Sequence, residues 1–223
     1  MYAYFPSSDV EKRTVMIESD FPNILNGSPF ISTVSGTGAV INNLAGVISH
    51  SGIVSLDSGT TATGRVAMST AVNFIGIDST MSVMSRCIFR IPTLSVAAQR
   101  FQFRTGFINT LTGDQVDGIY LEYDDTISAN FIFKTAANSV RTSVITSILV
   151  TANTWNKVML YVVDNIAYCV LNDIIIATIN TNIPQGPSRT FGIGSALVKS
   201  VGTTNRTIDV DYLGGIVEFV VGR

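Results

Sequence analysis

From Met81 onward, apolar and polar side chains alternate along the chain with a period of two. Between 81 and 91 the odd positions include Met81, Val83, Cys87, Phe89 and Ile91, and the even ones include Arg86 and Arg90. Between 97 and 108, Phe101, Phe103 and Phe107 alternate with Arg100, Gln102 and Arg104. Such alternation sends the two sets to opposite faces of a strand, one into a core and the other toward water or a ligand. Residues 116–123 set Ile119, Leu121 and Tyr123 against Gly118, Tyr120 and Glu122, and residues 130–135 set Phe131 and Phe133 against Lys134. Residues 139–151, SVRTSVITSILVT, are rich in β-branched side chains and predict a further strand.

Residues 155–184 predict a three-stranded meander. Three apolar runs there are separated by Asp164-Asn165 and Asn172-Asp173, pairs that tolerate the left-handed geometry of two-residue hairpin loops. Upstream, the Gly-, Ser- and Thr-rich stretch 31–70 predicts short strands at 31–34, 39–41, 52–56 and 64–68, with Gly36, Gly38, Gly59 and Gly64 at bends. Downstream, strands are predicted at 190–193 and 207–220, the latter broken at Gly214-Gly215, and a helical turn near 94–99. Residues 1–30, punctuated by Pro6, Pro22 and Pro29, predict an arm with one short strand at 13–17. This arm would pack on the body or on a partner, with Met1 to Tyr4 against either, and be pinned by Phe21 and Phe30. More than ten strands with closely spaced turns specify an all-β protein. An antiparallel β-sandwich accounts best for strands with one core face and one free face, and residues 31–223 form it as a single domain.

Charge narrows the function. Only 13% of residues are charged, against about a quarter in an average protein, so Ser, Thr, Asn and Gly must cover the surface. That suits extracellular proteins, virion proteins and subunits buried in an assembly. A net charge of −2 without a large basic patch argues against nucleic acid as a partner. The opening MYAYFPSSDVEKR lacks the basic and then apolar pattern of a signal peptide, and no window reaches the ~18–20 apolar residues of a membrane span. The chain is therefore expected to be made in a cytoplasm, without membrane insertion. Cys87 and Cys169 fall on apolar strands without metal-ligand spacing and are expected to be buried free thiols.

The candidate ligand residues are the polar set across the middle strands: Arg86, Arg90, Arg100, Arg104, Tyr120, Glu122 and Lys134. Guanidinium forks suit carboxylates and sugar hydroxyls. The set can be a solvated face with cross-strand ion pairs, a subunit or virion interface, or a glycan-binding surface for acidic sugars with Tyr120 as stacking platform. Asp209 and Asp211 alternate on the last strand, with Ile208, Val210 and Tyr212 opposed, and face solvent, a subunit or a cation. His50, the sole histidine, lies in a loop, and Trp155, the sole tryptophan, suits a core or sandwich-edge position. The glycine-rich SGTGA lacks the spacing of a phosphate-binding loop.

Residues 153–160, NTWNKVML, resemble the Trp-opened strand of concanavalin A-like, laminin G-like sandwiches, a jelly-roll fold. The hairpin turn Leu171-Asn172-Asp173 and the strand running to Ile183-Pro184 continue the likeness, which spans residues 30–220. SGTTATGR at 58–65 with DGIYLEY at 117–123 resembles structural modules of tailed bacteriophages. The resemblance implies a non-enzymatic virion module: a tail fibre, receptor-binding or capsid decoration protein. Such a module would be a homo-oligomer among other virion proteins, with a cell-surface glycan as possible ligand. The alternatives are a carbohydrate-binding lectin domain or a divergent glycan hydrolase. Glucanases of this fold carry two glutamates flanking an aspartate on one strand. Here Glu122-Tyr123-Asp124-Asp125 is followed by Thr126, Ile127 and Ser128, so the second glutamate is missing and no catalytic residue is assigned. No cofactor is implied. A calcium site could draw on Asp114, Asp117 or Asp173, although no spacing singles them out.

Overall fold

The computed structural model describes residues 10–21, 29–46, 49–50, 52–78 and 81–222. Among them every element is a strand, and the strands, numbered in chain order, form two antiparallel sheets of eight. In spatial order the first sheet runs β14 (Ile174–Ile179), β13 (Ile166–Leu171), β12 (Trp155–Val163), β7 (Met81–Arg90), β16 (Thr207–Gly222), β4 (Ile53–Ser58) and β3 (Ala39–Leu44), and β1 (Val10–Ser19) also pairs with β16. The second runs β11 (Val140–Leu149), β10 (Asn130–Ala137), β9 (Gly118–Asp124), β8 (Phe101–Ile108), β15 (Thr190–Lys199), β5 (Arg65–Ser69) and β2 (Ile31–Ser35), and β6 (Ile75–Gly76) also pairs with β15. This is the all-β antiparallel sandwich that the alternation predicts.

Both meander turns sit where the Asp/Asn pairs place them. Asp164, Asn165, Asn172 and Asp173 all have positive φ, between 50° and 68°, as a type I′ hairpin turn requires at both central residues. Asn138 and Ser139 (φ 53° and 65°) make a third such turn between β10 and β11. The last two strands of the chain each lie inside a sheet. β16 separates β7 from β4, and β15 separates β8 from β5. The strand in the N-terminal arm is longer than predicted and pairs along β16, from Val10 opposite Gly222 to Ser19 opposite Leu213. Phe21 and Phe30 are buried against each other at 6.1 Å. Met1 to Tyr4, Pro6 and Pro22 lie outside the described residues.

Two predictions are corrected. Gly214 and Gly215 do not break β16. A Cβ on Gly215 would meet Ile193 Cδ1 and Met84 O, each at 2.4 Å, so the residue is glycine for close approach. The irregularity is a bulge at Asp211, which turns Tyr212 to the outer face opposite Ile88 instead of opposing the two aspartates. The stretch 94–99 is not helical but a tight turn in which Gln99 N donates to Val96 O at 2.8 Å.

The core lies between the sheets and is aromatic at its centre. Phe89 of the first sheet packs on Phe103 (4.8 Å) and edge-on to Phe131 (5.9 Å) of the second. Cys87 and Cys169 are buried and free. Burial pushes the Cys87 thiol from 9.0 up to about 11 and raises Cys169 as well. A thiol whose ionisation is raised by folding contributes stability below its ordinary value, and that contribution is lost as pH rises through the folded one. Stability is therefore expected to fall between pH 9.0 and about 11, with a shallower slope in Cys87→Ala, as read by urea unfolding at several pH values. Ellman's reagent should label neither thiol at neutral pH and both in denaturant; rapid labelling of the native protein would contradict the burial.

Candidate ligand-binding face

The seven polar residues read from the sequence do not share one face. β7 and β8 are consecutive in the chain but lie in different sheets, so their outward side chains point to opposite sides of the sandwich. Arg86 and Arg90 sit on the outer face of the first sheet. Arg104, Tyr120, Glu122 and Lys134 sit on the outer face of the second, and Arg100 lies in the approach to β8, 3.9 Å from Asp125.

The second sheet gathers the denser constellation. Register places Arg104 opposite Glu122, and Tyr120 opposite Lys134, across β8, β9 and β10. Arg104 Nε donates to Glu122 Oε2 at 2.6 Å, and Lys134 Nζ pairs with the other oxygen of that carboxylate. Glu122 is 0% exposed, Arg104 3% and Lys134 5%. A buried carboxylate held by two cations is stable only while all three are present. Arg104 also donates to Gln102 Oε1 (2.8 Å) and to Asp114 Oδ1 (3.0 Å).

Asp114 belongs to the loop 109–117, which folds back over this face. The loop is knitted by the buried Gln115. Its Oε1 accepts from Asn109 N (2.7 Å) and Thr110 N (2.8 Å), and its Nε2 donates to Thr110 O (2.7 Å). Arg141 of β11 donates to Gln115 O at 2.7 Å and brings its Nε to 3.6 Å from Asp114 Oδ2. Leu111 closes over a small apolar cluster of Ala67, Ile108, Tyr120, Ala136 and Ala196. Within it the Tyr120 hydroxyl is fully buried without a hydrogen-bond partner, and Arg141 Nε likewise lacks one. A buried hydroxyl left in that condition costs about 1–3 kcal/mol. Burial pushes the Tyr120 phenol above its ordinary range; Asp114 and Glu122 add to the rise, and Arg104 and Arg141 oppose it. Tyr120 is therefore no exposed stacking platform.

Asp124, the other carboxylate on the outer face of β9, caps the following turn. It accepts from Thr126 N (2.9 Å) and Thr126 Oγ1 (2.6 Å), and from Gln102 Nε2 (2.5 Å). The loop aspartates are engaged too: Asp117 with Arg189 at 2.9 Å and Asp173 with Lys157. Among the described residues no three His, Cys, Asp or Glu side chains gather as a metal site.

On the first sheet, Arg90 holds Asp209 with Nε at 3.0 Å and Nη2 at 2.5 Å, and its guanidinium lies 4.9 Å from the Trp155 ring centre. His50 stacks on Trp155 at 4.2 Å, with Nδ1 2.8 Å from Asp211. The aspartates that alternate on the last strand are thus paired, Asp209 with arginine and Asp211 with the histidine. Arg86 lies over the Tyr212 ring at 5.4 Å. Sequence reasoning missed Arg141, Gln115 and the role of Asp114. Arg141 comes from a strand far from Arg104 in the chain, and Asp114 and Gln115 from the loop that follows β8 and folds back over the sheet, and no local pattern marks them.

Comparison with solved structures gives the fold neighbours. A protein of unknown function from Shewanella oneidensis MR-1, SO2946, superposes with a TM-score of 0.70 at 14% identity, covering 98% of this chain and 92% of that one. A carbohydrate esterase of the Shiga toxin-encoding bacteriophage phi24B gives 0.58 at 12%, covering 91% and 97%. Peanut lectin gives 0.59 at 12%, covering 95% and 100%. These likenesses establish the lectin-type sandwich as the fold. No curated protein matches the sequence. The family described as SO2946-like, C-terminal domain, matches residues 49–211.

Proposed function

The chain belongs to the SO2946-like, C-terminal domain family, and from that premise we propose that it is a non-enzymatic carbohydrate-binding module serving adhesion. The reading extends to a place on a tailed-phage virion, as a fibre, receptor-binding or decoration subunit. The observation that carries the non-enzymatic part is the condition of Glu122. Retaining hydrolysis needs two carboxylates about 5 Å apart, one free to give a proton and one free to attack. On β9 the Glu122 carboxylate is enclosed by Arg104 and Lys134, and Asp124 is spent on its turn. Binding is supported by the neighbours, which include a lectin and a phage protein named for acting on carbohydrate.

A glycan array combined with a reducing-end assay tests this. Saturable binding to one glycan class is expected, with no release of reducing ends by the native protein or by Glu122→Gln. Hydrolysis that disappears in Glu122→Gln would overturn the reading.

Assembly is favoured by a separate observation. The outermost strands β11 and β14 lie on the same side of the sandwich and leave Val140, Ile145, Leu149, Ile174 and Ile175 exposed. Apolar edge positions of this kind suit contact with further copies, and light scattering is expected to show an oligomer that dissociates in Ile145→Lys/Ile174→Lys.

A further inference from the structure

We propose that Arg104, Arg141 and the Tyr120 hydroxyl form a subsite for the carboxylate of an acidic sugar, occupied in this conformation by the Asp114 carboxylate. The inference rests on the carbohydrate-binding reading and adds the charge class of the ligand.

The charges at this place have unequal origins. Arg104 and Arg141 come from strands of the sheet, whereas Asp114 comes from the loop laid over it, with 42% of its side chain exposed. Its two oxygens bridge two guanidinium groups, reaching Arg104 at 3.0 Å but standing 3.6 Å from Arg141 Nε. The second contact is too long for a hydrogen bond, and Arg141 Nε is left without one. The cradle is thus built for a carboxylate and incompletely filled by the one it holds.

The Tyr120 hydroxyl is the independent observation. It is buried, unpartnered and under the influence of the same groups, Asp114, Glu122, Arg104 and Arg141. A phenol is a donor that a carboxylate can accept from without moving the sheet. The charge balance also leaves room for an anion. Three cations, Arg104, Arg141 and Lys134, face two carboxylates, Glu122 and Asp114. If Asp114 swings out with its loop, three cations face Glu122 alone. A sugar carboxylate would then take both arginine contacts and the phenol proton donor. Charge-assisted bonds from arginine to carboxylate are the stronger kind, and the planar fork selects for that geometry.

The test is calorimetric titration of the intact protein with sodium glucuronate, glucose and sodium acetate. Asp114→Asn removes the internal competitor and one negative charge, and is expected to raise glucuronate affinity about tenfold, with glucose unchanged. Tyr120→Phe in that background should reduce the gain severalfold, and Arg141→Gln should abolish it. Circular dichroism melts confirm that each variant is folded. Equal glucuronate affinity in the native protein and Asp114→Asn overturns the subsite. So does equal binding of acetate, which would make it a simple anion site. If glycans on an array bind both proteins while glucuronate affinity is the same in the two, the subsite falls and the carbohydrate-binding reading stands. If no glycan binds either protein, both fall.

Discussion

Replacing Glu122 with alanine is expected to lower the free energy of unfolding by about 3–5 kcal/mol, the usual consequence of removing one member of a buried ion network. The magnitude follows from what stays behind. Lys134 and Arg104 are nearly inaccessible to water. Lys134 loses the partner of its ammonium, while Arg104 keeps Gln102 and the exposed Asp114. Two buried cations, on the strands that flank β9, then face each other with no anion between them. Urea unfolding with the slope held constant measures the loss. The comparison is Asp173→Ala, which removes an ion pair with Lys157 at the surface and should cost at most about 1 kcal/mol. A Glu122→Ala loss as small as that would show that water reaches the network. Replacing Arg104, Glu122 and Lys134 together by apolar residues of similar volume should be far less harmful than the single change, because no charge is stranded.

Phe89→Ala should be comparably severe, again about 3–5 kcal/mol, for a reason unrelated to charge. Phe89 is fully buried and reaches across the sandwich to Phe103 and Phe131. Its removal takes a ring from the middle of the contact between the sheets, and the strands, tied by their ladders, cannot close the gap. The transfer loss and the cavity therefore add. Phe89→Leu keeps most of the volume and should cost less than half as much. Equal losses for the two variants would mean that ring geometry, not filled space, holds the sheets together.

The parts of the fold legible in the sequence are those with local causes. Asp164-Asn165 and Asn172-Asp173 announce their turns because few side chains accept positive φ. The odd and even positions of β7 and β8 announce their faces because the side-chain period is two. The same period is silent on which sheet a strand joins. That is why Arg86 and Arg90, which read as companions of Arg104, lie on the far side of the molecule. Gly214-Gly215 shows the same limit. A glycine pair marks either an interruption or a close approach, and only the neighbouring Ile193 and Met84 decide for approach. The acidic and basic members of the candidate subsite were hidden for another reason. Arg104, Asp114 and Arg141 meet through a loop closure and two intervening strands, and no spacing along the chain records that meeting.

The placement of β16 bears on how the protein is made. Until residues 207–222 are made, β7 and β4 have no common neighbour, and the first sheet exists only as β14-β13-β12-β7 and a separate β4-β3 pair. Both would present unpaired backbone until residues 207–222 are made and thread between them. Chains that stop before residue 207 should therefore be the forms that aggregate or are captured by chaperones.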